Sequence, residues 1–186
     1  HPTKVIGRVM NAEDAELEER KGNHVVEVPG GYRRIMAAPK PLDIIEAESI
    51  RALLEADQVV IACGGGGIPV LRQGNSLKGA SAIIEKDLAA ARLACAVDAD
   101  LLLILTGVQK VCLRYGTAEE AAVDEMTVSE ARSYLEAGEF EAGSMAPKIE
   151  AAVDFIGASE RRKAVVTRLE GEEPDRMIAG GTVIHR

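Results

Sequence analysis

Residues 59–63, Val-Val-Ile-Ala-Cys, are apolar without interruption and run straight into four glycines, Gly64–Gly67. A short apolar run that stops at a glycine cluster reads as a buried strand opening into a loop. The same punctuation recurs through residues 41–186. An amphipathic helix is expected over 44–56, with Ile50, Leu53 and Leu54 inward and Glu46, Glu48, Arg51 and Glu55 outward. An alanine-rich helix is expected over 86–97 and a second buried strand over 101–105. Residues 111–114 and 121–123 suit a short antiparallel pair. Thr127 and Glu130 have capping-box spacing at the start of a further helix. Over 145–156, Ile149, Ala152, Val153 and Ile156 repeat at helical spacing, and 163–167 and 182–185 read as strands. Apolar strands alternating with amphipathic helices specify an α/β fold whose mostly parallel central sheet is covered on both faces.

Residues 1–40 follow another pattern. Asn11 is placed to cap a charged helix over 12–21 that Gly22 ends. Residues 24–28 and 32–36, joined by Pro29-Gly30-Gly31, read as a β-hairpin. Pro39 and Pro41 stiffen the connection that follows. The expected organisation is a small protruding lid over 1–40 and a body over 41–186.

Composition narrows the function. The 186 residues are 47% hydrophobic and 28% charged, enough for a core and too apolar for disorder. The longest apolar runs, 101–105 among them, are five residues and fall far short of the roughly 20 a membrane span needs. No secretory leader pattern is visible, and Cys63, Cys95 and Cys112 have no metal-site spacing. The expectation is a cytoplasmic protein with no membrane partner. A formal charge of −8, five aromatics (three Tyr, two Phe) and no Trp argue against nucleic acid as a partner. Residues 1–40 carry seven Lys/Arg against six Asp/Glu, so a locally basic lip stands on an acidic body, which suits a small anion. The opening His1-Pro2, without an initiator Met, suggests processing or a piece of a longer chain.

Three clusters could carry chemistry. Gly64, Gly65, Gly66 and Gly67 let backbone N–H groups approach an anion, without matching a Walker A loop or a dinucleotide fingerprint. The competing reading is a tight turn. Lys86 and Asp87 open the alanine-rich helix, where Asp87 could be only a cap. A lysine in a first turn opposes the helix dipole unless an anion is also present. Gly143-Ser144-Met145-Ala146-Pro147-Lys148 opens another helix, with Ser144 at the cap position and Lys148 a second lysine near a helix start. Two such lysines could neutralise one phosphoryl group, and Lys4 would be a third if the lid closes. His1, His24 and His185 are not placed for acid–base work.

Taken together, Gly30–Arg34, Pro39-Lys40-Pro41, the stretch 61–70 with its glycine run, Lys86-Asp87-Leu88-Ala89, Ile104-Leu105-Thr106 and Gly143–Lys148 resemble carbamate kinase, of the amino acid kinase superfamily. The resemblance runs the whole length of this chain and corresponds to the C-terminal part of such enzymes. It implies a three-layer αβα sandwich and reversible phosphoryl transfer between ATP and carbamate, giving ADP and carbamoyl phosphate with Mg²⁺. By the same resemblance Lys4, Lys86 and Lys148 engage the nucleotide phosphates or the transferring group, and Asp87 orients the lysines. Gly64–Gly67 and Met145 belong to the nucleotide site, and Thr106, Gly107, Val108 and Cys112 approach the adenosine.

The departures are His1 where Asn is usual, Val28–Gly31 and Ala37-Ala38 in the lid connector, Ala146 for Gly, and Cys112 for Tyr. None removes a lysine. The resemblance further implies a homodimer for the full-length enzyme, and exposed strand edges imply self-association of this chain. The expected activity is that of the nucleotide-binding half of a carbamate kinase, weak or absent alone. The alternatives are a stand-alone nucleotide-binding or sensing module, or a sibling kinase acting on acetylglutamate, glutamate or UMP.

Overall fold

In the computed structural model, residues 2–157, 159–169 and 173–186 are described, so His1 lies outside the described residues. The chain divides into two compact units, one of residues 1–40 and 65–85, the other of 41–64 and 86–186. Residues 65–85 thus join the first forty, through a bridge between Ala37 and Ala82 and a 2.9 Å bond from the Ile83 N–H to the Ala37 carbonyl.

The first unit holds β1 (Lys4–Met10), α1 (Ala12–Arg20), β2 (His24–Val28) and β3 (Gly31–Met36), in an antiparallel sheet of order β1-β3-β2. β1 was not anticipated, because Gly7 and Arg8 break the alternation a strand would display. Asn11 caps α1, its Oδ1 accepting from the Asp14 N–H at 2.8 Å. β2 and β3 form the expected hairpin, with Gly31 already in the strand at φ 146°. A Cβ there would stand 2.3 Å from the Met10 carbonyl oxygen, so only glycine fits. A second hairpin follows in β4 (Val70–Gln73) and β5 (Ser76–Gly79).

In the second unit, α2 (Ala47–Glu55) precedes α3 (Lys86–Ala96), β6 (Leu101–Thr106), β7 (Cys112–Leu113) and β8 (Ala121–Ala122). The chain continues through β9 (Glu125–Thr127), α4 (Val128–Glu136), α5 (Met145–Ile156), β10 (Lys163–Arg168), α6 (Pro174–Gly180) and β11 (Thr182–His185). The sheet order is β6-β10-β11-β9. β6 with β10 and β11 with β9 are parallel, whereas β10 with β11 is antiparallel, so the sheet is mixed with parallel pairs in the majority. α3, α4 and α5 share one core with Leu102 and Ile104 of β6, Ala164 and Val166 of β10 and Ile184 of β11. Val165 and Thr167 alternate to the other face of β10, on which α6 packs, completing three layers. Ile149, Phe155 and Ile156 are fully buried, each side chain contributing about 1.5–3 kcal/mol. Thr127 forms the anticipated capping box with Glu130.

Two expectations in this unit fail. Residues 59–63 form no strand, and Val59 and Ile61 are 95% and 97% exposed. A strand exists through its ladder, and among the described residues nothing pairs with this segment. α2 begins at Ala47, not at 44, and buries Ala47 and Ile50 while Leu53 and Leu54 face outward, since among the described residues no layer covers that side.

Candidate functional site

The site begins where two helices of the second unit start. α3 is rich in alanine, and Ala91, Ala94 and Leu88 sit in the core against α5. This packing brings the first turn of α3 to that of α5. Asp87, the second residue of α3, is 7% exposed and accepts from Lys148 Nζ on α5 at 2.9 Å. Lys148 is equally buried, and a lysine at that depth is retained only when paired. Lys86, the first residue of α3, donates to the same Asp87 Oδ2 at 3.2 Å, but its side chain is 57% exposed. Asp87 therefore does not serve as a mere helix cap. Its carboxylate goes to the lysines.

The electrostatics follow from that arrangement. Two ammonium groups share one carboxylate, leaving one formal positive charge in excess. Both stand near helix N-termini, whose dipoles add further positive potential. α5 has no acidic residue in its first turn. Ser144 does occupy its cap position, but the hydroxyl donates to Glu141 Oε2 at 2.5 Å instead of capping the helix, which corrects the expectation for that residue. At the start of α5 the Ala146 N–H donates to the Glu141 carbonyl at 3.0 Å and Pro147 has no N–H, so it is the surplus charge beside two helix N-termini that makes this a place where an anion is stabilised. Met145, at the start of α5, packs against the core.

The loop after β6 lies in the same unit. The Thr106 carbonyl accepts from the Leu169 N–H at 3.2 Å, and the Gly107 carbonyl from Arg168 Nε at 3.2 Å. Val108 is half-buried beyond them. Cys112, on β7, has its thiol pushed up by burial and then by Glu120, so it remains protonated at neutral pH. Burial, with Glu46 adding to it, does the same to Cys63, which holds a left-handed φ of 62°.

The remaining candidates belong largely to the first unit. Lys4 opens β1 and pairs with the half-buried Glu85. Sequence reasoning passed over Glu85, although its place beside Lys86 and Asp87 in an alternating charge run was the available signal. Of the glycines, Gly64 (φ 45°) ends the second unit's segment and Gly65–Gly67 lie in the first. Gly66 has a structural necessity, since at φ 139° a Cβ would stand 1.9 Å from the Ile84 carbonyl oxygen. Gly65 has none: a Cβ there meets nothing within 4 Å.

Residues 10–168 match the amino acid kinase family model. The carbamate kinase-like protein YqeA of Escherichia coli K12 is 48% identical over 99% of this chain and 60% of its own length. A carbamate kinase of Clostridium perfringens is 45% identical over 91% of this chain and 54% of that protein. The solved Giardia lamblia carbamate kinase bound to AMP-PNP superposes with a TM-score of 0.87 at 34% identity, covering 99% of this chain and 59% of that one. The chain thus spans somewhat over half the length of the relatives it matches. It belongs to the amino acid kinase family, and the relatives compared are two carbamate kinases and a carbamate kinase-like protein.

Proposed function

We propose that this chain is the nucleotide-binding part of a carbamate kinase, with Lys86 and Lys148 serving the phosphates and Asp87 holding the two lysines in place. The observation that carries this reading is two lysines, at the starts of two helices, gathered on one buried carboxylate. In the proposed reaction an oxygen of carbamate attacks the γ-phosphorus of MgATP. The new O–P bond forms as the bond from phosphorus to the bridging oxygen breaks, and ADP leaves with that electron pair. The reverse direction makes ATP from ADP and carbamoyl phosphate. Such a transfer requires charge neutralisation and alignment more than proton transfer, which fits lysines.

Mg²⁺ enters as part of the nucleotide substrate. Among the described residues no group of three or more His, Cys, Asp or Glu is assembled to hold a metal, and Mg²⁺ ordinarily binds through phosphates and water with few protein carboxylates. The family resemblance adds Thr106, Gly107, Val108 and Cys112 for the adenosine, Met145 beside them, and Lys4 with Gly64–Gly67 for the phosphates. The geometry within the second unit supports the proposal without those of the first.

The test is calorimetry with MgADP on the chain and on Lys86→Ala. Because Lys86 is mostly exposed, the variant should fold unchanged and bind at least about tenfold more weakly, the loss of one charge-assisted contact. Equal binding by both would remove Lys86 from the site. The alternative reading is a module that binds nucleotide without transferring phosphate. ATP formation from carbamoyl phosphate and MgADP separates the two.

A further inference from the structure

Thr182, the first residue of β11, is 0% exposed, so its hydroxyl is out of reach of water. The residue before it lets the chain pass tightly over β10: a Cβ on Gly181 would stand 2.8 Å from the Val166 carbonyl oxygen. A hydroxyl buried in this way is retained where its hydrogen bonds are met. Thr182 Oγ1 accepts from the Val111 N–H at 2.9 Å and donates to the Val123 carbonyl.

Those two partners are the halves of one rung. β7 and β8 pair Cys112 with Ala122 and Leu113 with Ala121, so the next pair in register is Val111 with Val123. Hydrogen-bonded residues opposite each other in an antiparallel ladder exchange two N–H···O bonds. Here the Val123 N–H donates directly to the Val111 carbonyl at 2.9 Å, but the return bond runs through the Thr182 hydroxyl. The Val183 N–H fastens the same place, donating to the Asp124 carbonyl at 2.9 Å. With two residues a side, the β7–β8 hairpin is too short to hold itself, and Thr182 ties its base to the main sheet.

The place of this tie in the sheet gives it a role. Thr182 stands opposite Val166, toward the carboxyl end of β10, which runs parallel to β6. In α/β sheets ligands sit beyond the carboxyl ends of the parallel strands. α3 and α5 lead into β6 and β10 through short turns, so their first turns, with Lys86, Asp87 and Lys148, come to that same end. We infer that Thr182 is a positioning residue of the nucleotide site, its hydroxyl holding Val111 and hence Cys112 where adenosine is met while the lysines serve the phosphates. The inference rests on the nucleotide reading above and adds to it a residue that touches no ligand.

The test is calorimetry with MgADP and with magnesium pyrophosphate, which has the phosphates without the adenosine, on the parent, Thr182→Val and Thr182→Ser. Thr182→Val keeps the shape of the side chain and strands the Val111 N–H and the Val123 carbonyl. It should bind MgADP at least about tenfold more weakly and pyrophosphate as the parent does. Thr182→Ser keeps the hydroxyl and should restore MgADP binding. Hydrogen exchange at the Val111 and Val123 amides should quicken at least about tenfold in Thr182→Val, with α5 unchanged. Equal losses for the two ligands would leave Thr182 a merely structural role and overturn the inference. So would full MgADP affinity in Thr182→Val, or unchanged exchange at the Val111 amide. A parent that binds neither ligand refutes the nucleotide reading and takes this one with it, a result distinct from any difference between the variants.

Discussion

The Lys148–Asp87 pair offers a prediction whose size can be worked from the structure. Both side chains are 9% exposed and meet at 2.9 Å. Replacing Lys148 by Met keeps the length and apolar body of the side chain and removes only the charge. An uncompensated buried carboxylate costs about 3–5 kcal/mol. Here Lys86 remains at 3.2 Å, and one charge-assisted hydrogen bond offsets about 1.5–3 kcal/mol of that. The expected loss for Lys148→Met is therefore about 2 kcal/mol, or roughly 4–8 °C in the thermal midpoint for a chain of this size.

The double variant Lys148→Met/Asp87→Leu removes the stranded charge as well and should recover most of the loss. That gives a coupling energy of about 1.5–3 kcal/mol in a double-mutant cycle by urea unfolding. The double variant keeps the net charge, because Lys86 remains, but it lacks Lys148 as a donor to the phosphates, so it should bind MgADP more weakly even when it folds as well as the parent. A Lys148→Met variant within about 0.5 kcal/mol of the parent would refute the buried-pair reasoning, because it would mean that water reaches the carboxylate.

Two glycines in the same run should part company. Gly66→Ala should destabilise by more than about 2 kcal/mol in thermal melts, through the contact with the Ile84 carbonyl and the positive φ, whereas Gly65→Ala should leave the melt unchanged. Weaker MgADP binding by Gly65→Ala would then report on the anion and not on the fold. Asp98 accepts from Arg161 at 2.8 Å and Arg162 at 3.1 Å, and these bonds hold its carboxyl below the usual range. A lowered folded-state pKa contributes stability above the unfolded value and loses it as pH falls through the folded one. Asp98→Asn should therefore flatten the acid limb of the stability profile and leave activity in the described site untouched.

What the sequence discloses here is mostly local. α5 was legible to its last residue because its apolar spacing, Pro147 in the first turn and Gly157 beyond its end all act within the helix. The capping box of α4 and the β2–β3 hairpin were legible for the same reason. Residues 59–63 show the converse. Their composition states a preference for a two-sided interior, but only a partner strand can satisfy it, and the described chain supplies none. The preference was read correctly and its realisation was not.

The functional cluster lies between these cases. That Lys86 and Lys148 each open a helix is written in the sequence, and the dipole makes each of them costly there without an anion. That both reach one carboxylate is not written, since 61 residues separate Asp87 from Lys148 and only the packing of α3 on α5 joins them. The core of the second unit, with small alanines on α3 and Ile149, Ala152 and Val153 on α5, sets how closely the two helix ends approach. The apolar packing thereby fixes the distance at which the charges act. A substitution that pushed those helices apart, such as Ala91→Leu at a site 2% exposed, should cost MgADP affinity as well as stability, though it touches no charged group. Retained affinity in a variant that melts several degrees lower would show that the lysines find the nucleotide without the framework, and that Asp87 is not what holds them.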